Sequence, residues 1–384
     1  MASEFVHCKI DVTGKYLGLF IGAGADDVQW ADLPARLVER TAQIRAQHSG
    51  MVFSLLMFRV YVTSLLQYKA QCHSPSGDLC KAYAKCEQRI LACPWNAVPE
   101  QVLHNLKCVG MRVELPHLET LARAAQVRLV ASLPCFWDIH SQACRALDSD
   151  DCILGFLGGG WHLGTSLFKL AATWRAARPI RGVAEALTCE KPKAVQRLVY
   201  AALRGELPLT QLKKKFDERL TKLLGRVGAF GIAVPLIEEL GSKAQLAPLT
   251  VRASVVKTVC NAWITSSRLH LAAVGCRFGC GAESPDSMKH YLNCVHVRSA
   301  ARRYLEVPPV RSDDDNMRAL LSTRGKTSRV CLNDFLLIDA CFFANNLVRT
   351  SPDVSVHAAV SARIKSLWAR YSSVRAVVDS RRLR

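Results

Sequence analysis

Apolar positions along this chain recur mostly at helical spacing. After Asp32-Leu-Pro, with Pro34 in the first turn, Leu33, Leu37, Val38 and Ile44 predict a helix. Helical periodicity also fits 51–72, 75–92, 99–108 and 115–132, and Pro75, Pro94, Pro99, Pro116 and Pro134 punctuate the ends. Further on, helices are expected at 192–204, 208–224, 250–271, 287–304, 328–349 and 354–372. Only the segment Phe5 to Gly22 departs from this period: two short β-prone runs parted at Thr13-Gly14 predict a hairpin. The glycine-dense stretch Asp148 to Gly164 reads as a loop or hinge, since no Gly-Lys-Ser/Thr follows to make it a phosphate cradle. The expected fold is mainly α: helical bundles, a short N-terminal β-hairpin, and a small metal-binding module near the C-terminus.

Composition narrows the class. Half of the 384 residues are hydrophobic and 22% are charged, so the chain can bury cores and is no disordered polybasic tail. The longest apolar stretch, Met51 to Leu66, spans 16 residues broken by Ser54, Arg59, Thr63 and Ser64, short of the roughly 20 a membrane span needs. A buried helix and no membrane association are expected. No basic and apolar leader opens the chain, so the 16 cysteines point to a reducing, intracellular compartment, nucleus or cytoplasm, and most should be small core residues.

Charge subdivides the chain. Of the net +19, residues 175–226 hold +8 and residues 298–384 another +8, while residues 1–174 are close to neutral at +1. With the hairpin, this suggests boundaries at 1–31, 32–174, a basic connector 175–247, and 248–384. Two localised positive segments suit a polyanion, because each neutralised phosphate releases counterions. Lys191, Lys193, Arg197, Lys213, Lys214, Lys215, Arg219, Lys222, Arg277, Lys289, Arg302 and Arg303 are the candidate contacts to RNA or DNA phosphate. In the 208–224 helix, Leu212, Phe216 and Leu220 make an apolar stripe that leaves the lysine triplet largely outward. A solvated basic face without a partner accounts for the same charge pattern.

One constellation carries metal chemistry. Cys276-Arg-Phe-Gly-Cys280, then His290 and Cys294, is a C-x3-C-x9-H-x3-C pattern. Gly275, Gly279 and Gly281 allow a tight turn, and His290 and Cys294, four apart, share a helical face. Three thiolates and an imidazole close a tetrahedron around zinc and leave no position for water, so the expected role is structural. Chance proximity in a chain rich in cysteine and histidine is the alternative. Gly24-Ala-Asp-Asp27 has the form of a polymerase aspartate pair, but it follows the hairpin in a Gly/Ala turn, where turn and cap roles explain it. Asp313-Asp314-Asp315 has the same reading, and no catalytic residue is assigned.

Several segments resemble reverse transcriptases of non-LTR retrotransposons. Lys15-Tyr-Leu-Gly-Leu-Phe-Ile-Gly22 with Trp30 is similar to the hairpin that closes the palm in that family. Tyr61-Val-Thr-Ser-Leu-Leu-Gln-Tyr-Lys-Ala-Gln71 and Ala92-Cys-Pro-Trp-Asn-Ala-Val-Pro99 are similar to its helical thumb. The Cys276, Cys280, His290, Cys294 cluster, with Asp286 before the helix, resembles its C-terminal zinc module, and Phe335-Leu-Leu-Ile-Asp-Ala-Cys-Phe-Phe-Ala-Asn-Asn-Leu-Val-Arg349 its closing helix. In the family the catalytic aspartates precede the hairpin, and about fourteen residues precede Lys15 here, so fingers and most of the palm have no counterpart. The resemblance implies a non-catalytic, nucleic-acid-binding C-terminal portion of such a protein. Alternatives are a zinc-stapled helical interaction module or decayed fragment, and a piece that completes a polymerase in trans by docking on a separate palm.

Overall fold

The chain was described through a computed structural model, which covers residues 13–16, 19–22, 25–91, 93–94, 96–148, 160–188, 192–205, 207–241, 247–272, 275–281, 283–309 and 312–383. It is mainly helical, with one two-stranded antiparallel hairpin. Two compact units emerge, each assembled from separated stretches: 1–46, 57–86 and 116–205 form the first, and 47–56, 87–115 and 206–384 the second.

In the first unit the hairpin pairs Thr13–Tyr16 with Leu19–Gly22, Gly14 lying opposite Ile21 and Tyr16 opposite Leu19. Thr13-Gly14, expected at the reversal, therefore lie inside the first strand. The register found sets Lys15 opposite Phe20, with its ammonium 5.8 Å from the ring centroid. Helix Leu118–Ser132 is the axis of this unit. Its Ala124 and Val127 pack with Ala177, Val183, Ala186, Val195 and Val199, while Val130 joins Phe136, Leu170 and Ala171. The stretch from Met51 is helical to Gln71 as expected, but passes through a π-helical segment, Phe58–Thr63. There Phe58 meets Tyr83 edge-on at 5.4 Å, and Thr63 Oγ1 lies 3.0 Å from the Tyr83 hydroxyl. Most of the glycine-dense stretch lies outside the described residues. Gly160–Gly164, read as loop, instead opens helix Gly160–Ala177, whose Leu170 and Ala171 are core residues.

The second unit is organised on helix Ser328–Thr350, which packs against Leu249–Val259 and Val356–Arg370. By length and composition this helix could cross a membrane, but 72% of its apolar window is buried inside the fold, as a core helix requires. The helix expected over 250–271 stops at Val259, because Asn261 turns left-handed (φ 50°) and Trp263 folds back, its indole N–H donating to Thr258 Oγ1 at 3.0 Å. Helix Leu207–Ala229 buries Leu212, Phe216, Leu220 and Leu223 on one side and is kinked at Gly225, where φ is 74°.

A buried polar pair sits in the same unit: Glu87, 1% exposed, contacts His104 Nε2 at 2.8 Å. Burial, with the charge of Glu100 adding to it, pushes the Glu87 carboxyl well above its ordinary value. Such a shift contributes stability that is complete below the unfolded carboxyl pKa of about 4.3 and is lost as pH rises through the folded value. Glu87→Gln keeps the hydrogen-bonding shape and removes the ionisation. The variant should unfold at a higher temperature than the native chain at pH 8, by roughly 1 kcal/mol of stability, and the gain should vanish near pH 4. Thermal melts across pH 4–8 check this; a lower midpoint at pH 8 would show an ionised, stabilising pair instead.

Candidate metal centre

The metal-ligand candidates fall on a turn and a short helix of the second unit. Gly275 and Pro285 form an isolated antiparallel bridge that closes the loop carrying Cys276 and Cys280. Gly279 (φ 92°) and Gly281 (φ 105°) occupy conformations that L side chains resist, and Gly279 N–H donates to Cys276 O at 3.1 Å, so the loop doubles back within three residues. Ser287 caps the next helix by accepting from His290 N–H at 3.2 Å. That helix, Met288–Asn293, is not the continuous 287–304 expected. It breaks at Cys294 (ψ 127°), which starts a second helix, Val295–Ala301, so Cys294 reaches the cluster from a helix junction and not from one helical face.

The outcome is convergence. The ligand atoms of Cys276, Cys280, His290 and Cys294 all lie within 4.8 Å of one another, and Cys280 and Cys294 sulfurs are 3.3 Å apart. In a tetrahedral zinc site with Zn–S near 2.3 Å the sulfurs stand about 3.8 Å apart, a small adjustment from this geometry. His290 Nε2 is buried and makes no hydrogen bond of normal geometry, the ring's polar interaction being with Cys276. Hydrogen bonding from Cys294, followed by His290 and the Phe278 and Cys280 amides, outweighs burial and lowers the Cys276 thiol to about 4. Its partners respond in the opposite sense: Cys294 is raised by donating to Cys276 and by burial, and His290 is raised by Cys276. These four side chains can hold a metal ion, and a three-thiolate, one-imidazole donor set is compatible with zinc.

Behind the cluster lies Asp286, which the sequence marked only through the resemblance of the zinc module. Asp286 is buried; its carboxylate accepts from Ser266 N–H at 2.8 Å and the Tyr291 hydroxyl at 2.5 Å, with Arg349 Nη1 at 3.5 Å and Arg277 Nε at 3.6 Å. Burial opposes its ionisation, but hydrogen bonds from Tyr291 and Ser266 and the Arg349 charge hold it below the usual carboxylate range. Phe278 and Tyr291 are both buried, with ring centroids 4.4 Å apart, so they pack over the metal turn and offer no stacking surface to a base.

The candidate nucleic-acid contacts are dispersed. Lys191 lies outside the described residues, and Lys193 falls in helix Pro192–Arg204, where Arg197 is exposed. These belong to the first unit, whereas Lys213 to Lys222 belong to the second, so the basic segment 175–226 is divided between them. Lys214 and Lys222 are exposed as expected, but Lys213 and Lys215 are half-buried. Lys215 pairs with Glu218 at 2.8 Å and Arg219 donates to Asn96 O at 2.9 Å. Arg277 faces Asp286, Lys289 pairs with Asp314 at 2.5 Å, and Arg302 and Arg303 are exposed. The aspartate run 313–315 fills the first turn of helix Asp313–Leu321 behind its cap Ser312, where negative charge opposes the helix dipole.

One feature escaped the sequence. In the first unit, Trp137, Trp174, Arg175, Arg178 and Pro179 line a cleft of about 670 Å³, with the indoles edge-on at 6.5 Å. Trp137 is 38% exposed. Only the arginines were visible beforehand, as part of a basic run. No family model, curated protein or solved structure matches this chain.

Proposed function

We propose that the protein binds single-stranded nucleic acid through phosphate and stacking contacts, and that zinc on Cys276, Cys280, His290 and Cys294 holds its second unit together. The observation that carries the binding reading is the Trp137, Trp174, Arg175, Arg178 cleft, which combines a partly exposed indole with two exposed guanidinium groups in a net-basic chain. Indoles stack on any base, and arginine meets phosphate with several donors, so the chemistry favours single strands with little sequence preference. The resemblance to the C-terminal portion of non-LTR retrotransposon reverse transcriptases supports the same reading.

Filter binding of single-stranded RNA across salt tests this. Log affinity should fall linearly with log salt, with a slope of about −0.7 per phosphate neutralised. Trp137→Ala should weaken binding by about 1–3 kcal/mol, while Arg178→Ala should also flatten the salt slope. Affinity that ignores salt, or none at low salt, would overturn the proposal. The competing reading, a zinc-stapled interaction module, draws on the internal pairing of Lys215, Arg219, Arg277 and Lys289, which are already engaged by protein groups.

A further inference from the structure

The second unit contains a cavity of about 390 Å³ between helices Met51–Met57, Leu249–Val259, Ser328–Thr350 and Val356–Arg370. Met51, Val52, Phe53, Leu56, Phe342 and Phe343 give it apolar walls. Its charged groups are Lys257, Asp339 and Arg363. Asp339, 1% exposed, is fully engaged: Arg363 donates to it at 2.6 and 3.1 Å and the Ser254 hydroxyl at 2.6 Å. Those two charges cancel.

Lys257 is left over. It is 9% exposed; among the described residues its ammonium has the Phe342 ring face at 5.1 Å and the electrostatic influence of the Cys93 thiol, and no carboxylate is paired with it. An aromatic face compensates an ammonium only in part, and a buried charge without an anion is costly. Burial accordingly lowers the Lys257 pKa. A group that is both costly and aimed into an apolar cavity marks a place where a ligand supplies what the protein withholds.

We infer that this cavity binds a small amphipathic monoanion, a carboxylate on an apolar tail, with the carboxylate on the Lys257 ammonium and the tail among Met51, Leu56, Phe342 and Phe343. The net charge of the lining argues for one negative charge and not the two of a phosphate monoester, and the volume lies at the small end of ligand sites. Phe53 and Leu56, 44% and 43% exposed, stand where the tail would cover them. The inference is independent of the nucleic-acid reading.

Calorimetric titration of the full chain with decanoate and with decan-1-ol tests it. Decanoate should bind one per chain, at least tenfold more tightly than the alcohol, and Lys257→Met should erase that preference while leaving alcohol binding. Equal affinities for the two, no decanoate binding, or a preference that survives in a folded Lys257→Met chain would overturn it. The comparison on the native chain needs no variant, so it decides the matter even if Lys257→Met fails to fold.

Discussion

Cys280→Ser should abolish stoichiometric zinc and lower the stability of the second unit by several kcal/mol. Cys280 is the most informative ligand to replace, because it is only half-buried whereas Cys276 and Cys294 are buried, so its loss removes a metal bond with little packing. Metal that binds the folded state alone stabilises it in proportion to the logarithm of its free concentration over the dissociation constant. Structural zinc in small finger domains is worth about 10–16 kcal/mol of apparent binding energy at neutral pH. Less should be lost here, since helix Ser328–Thr350 and its neighbours keep their own apolar core. Native mass spectrometry should show one zinc per native chain and none on the variant, and added zinc should raise the native melting temperature alone. An unchanged metal content would remove the site from consideration.

Local patterns were the legible part of this molecule. Helices Leu33–Ala46, Pro192–Arg204 and Ser328–Thr350 were readable to within a few residues because their apolar stripes and end signals are contiguous in sequence. The cysteine and histidine cluster was readable for the same reason, its ligands lying within one loop and the helix junction beyond it. Helices Phe136–Asp148, Ala233–Gly241 and Ser372–Arg382 were not foreseen. The first follows Pro134, which reads as a stop, and the last is mostly polar and buries only Val374, Val377 and Val378. Helix Asp313–Leu321 was not foreseen either, although its aspartates were read as turn or cap residues and do fill the first turn behind the cap Ser312. Long-range juxtapositions left no trace at all. Nothing local joins Trp137 to Trp174, Lys257 to Phe342, or Asp339 to Arg363; each pair meets only through helix packing. Net charge misled in a similar way, since it counts Lys289 and Arg277 as available cations when Asp314 and Asp286 already face them.

Asp286→Ala should destabilise the second unit by about 3–5 kcal/mol without removing a metal ligand. Among the described residues the carboxylate is the anion that pairs with both Arg277 and Arg349, and it also accepts from Ser266 N–H and the Tyr291 hydroxyl. Truncation leaves the buried Tyr291 hydroxyl without its acceptor and the Ser266 amide unpaired, in addition to the lost ion pairs. Arg349 lies in the last turn of Ser328–Thr350 and Tyr291 neighbours His290, so Asp286 ties the metal turn to the core helix. The two predictions therefore separate. Asp286→Ala should still carry one zinc at saturating metal while unfolding at far lower denaturant, whereas Cys280→Ser should lose both properties. Asp286→Asn, which restores an acceptor for Ser266 N–H but no charge for the arginines, should fall between the native chain and Asp286→Ala in urea titrations. If Asp286→Ala unfolds at the native midpoint, the arginine contacts are solvent-screened and the core helix is held to the metal turn by apolar packing alone.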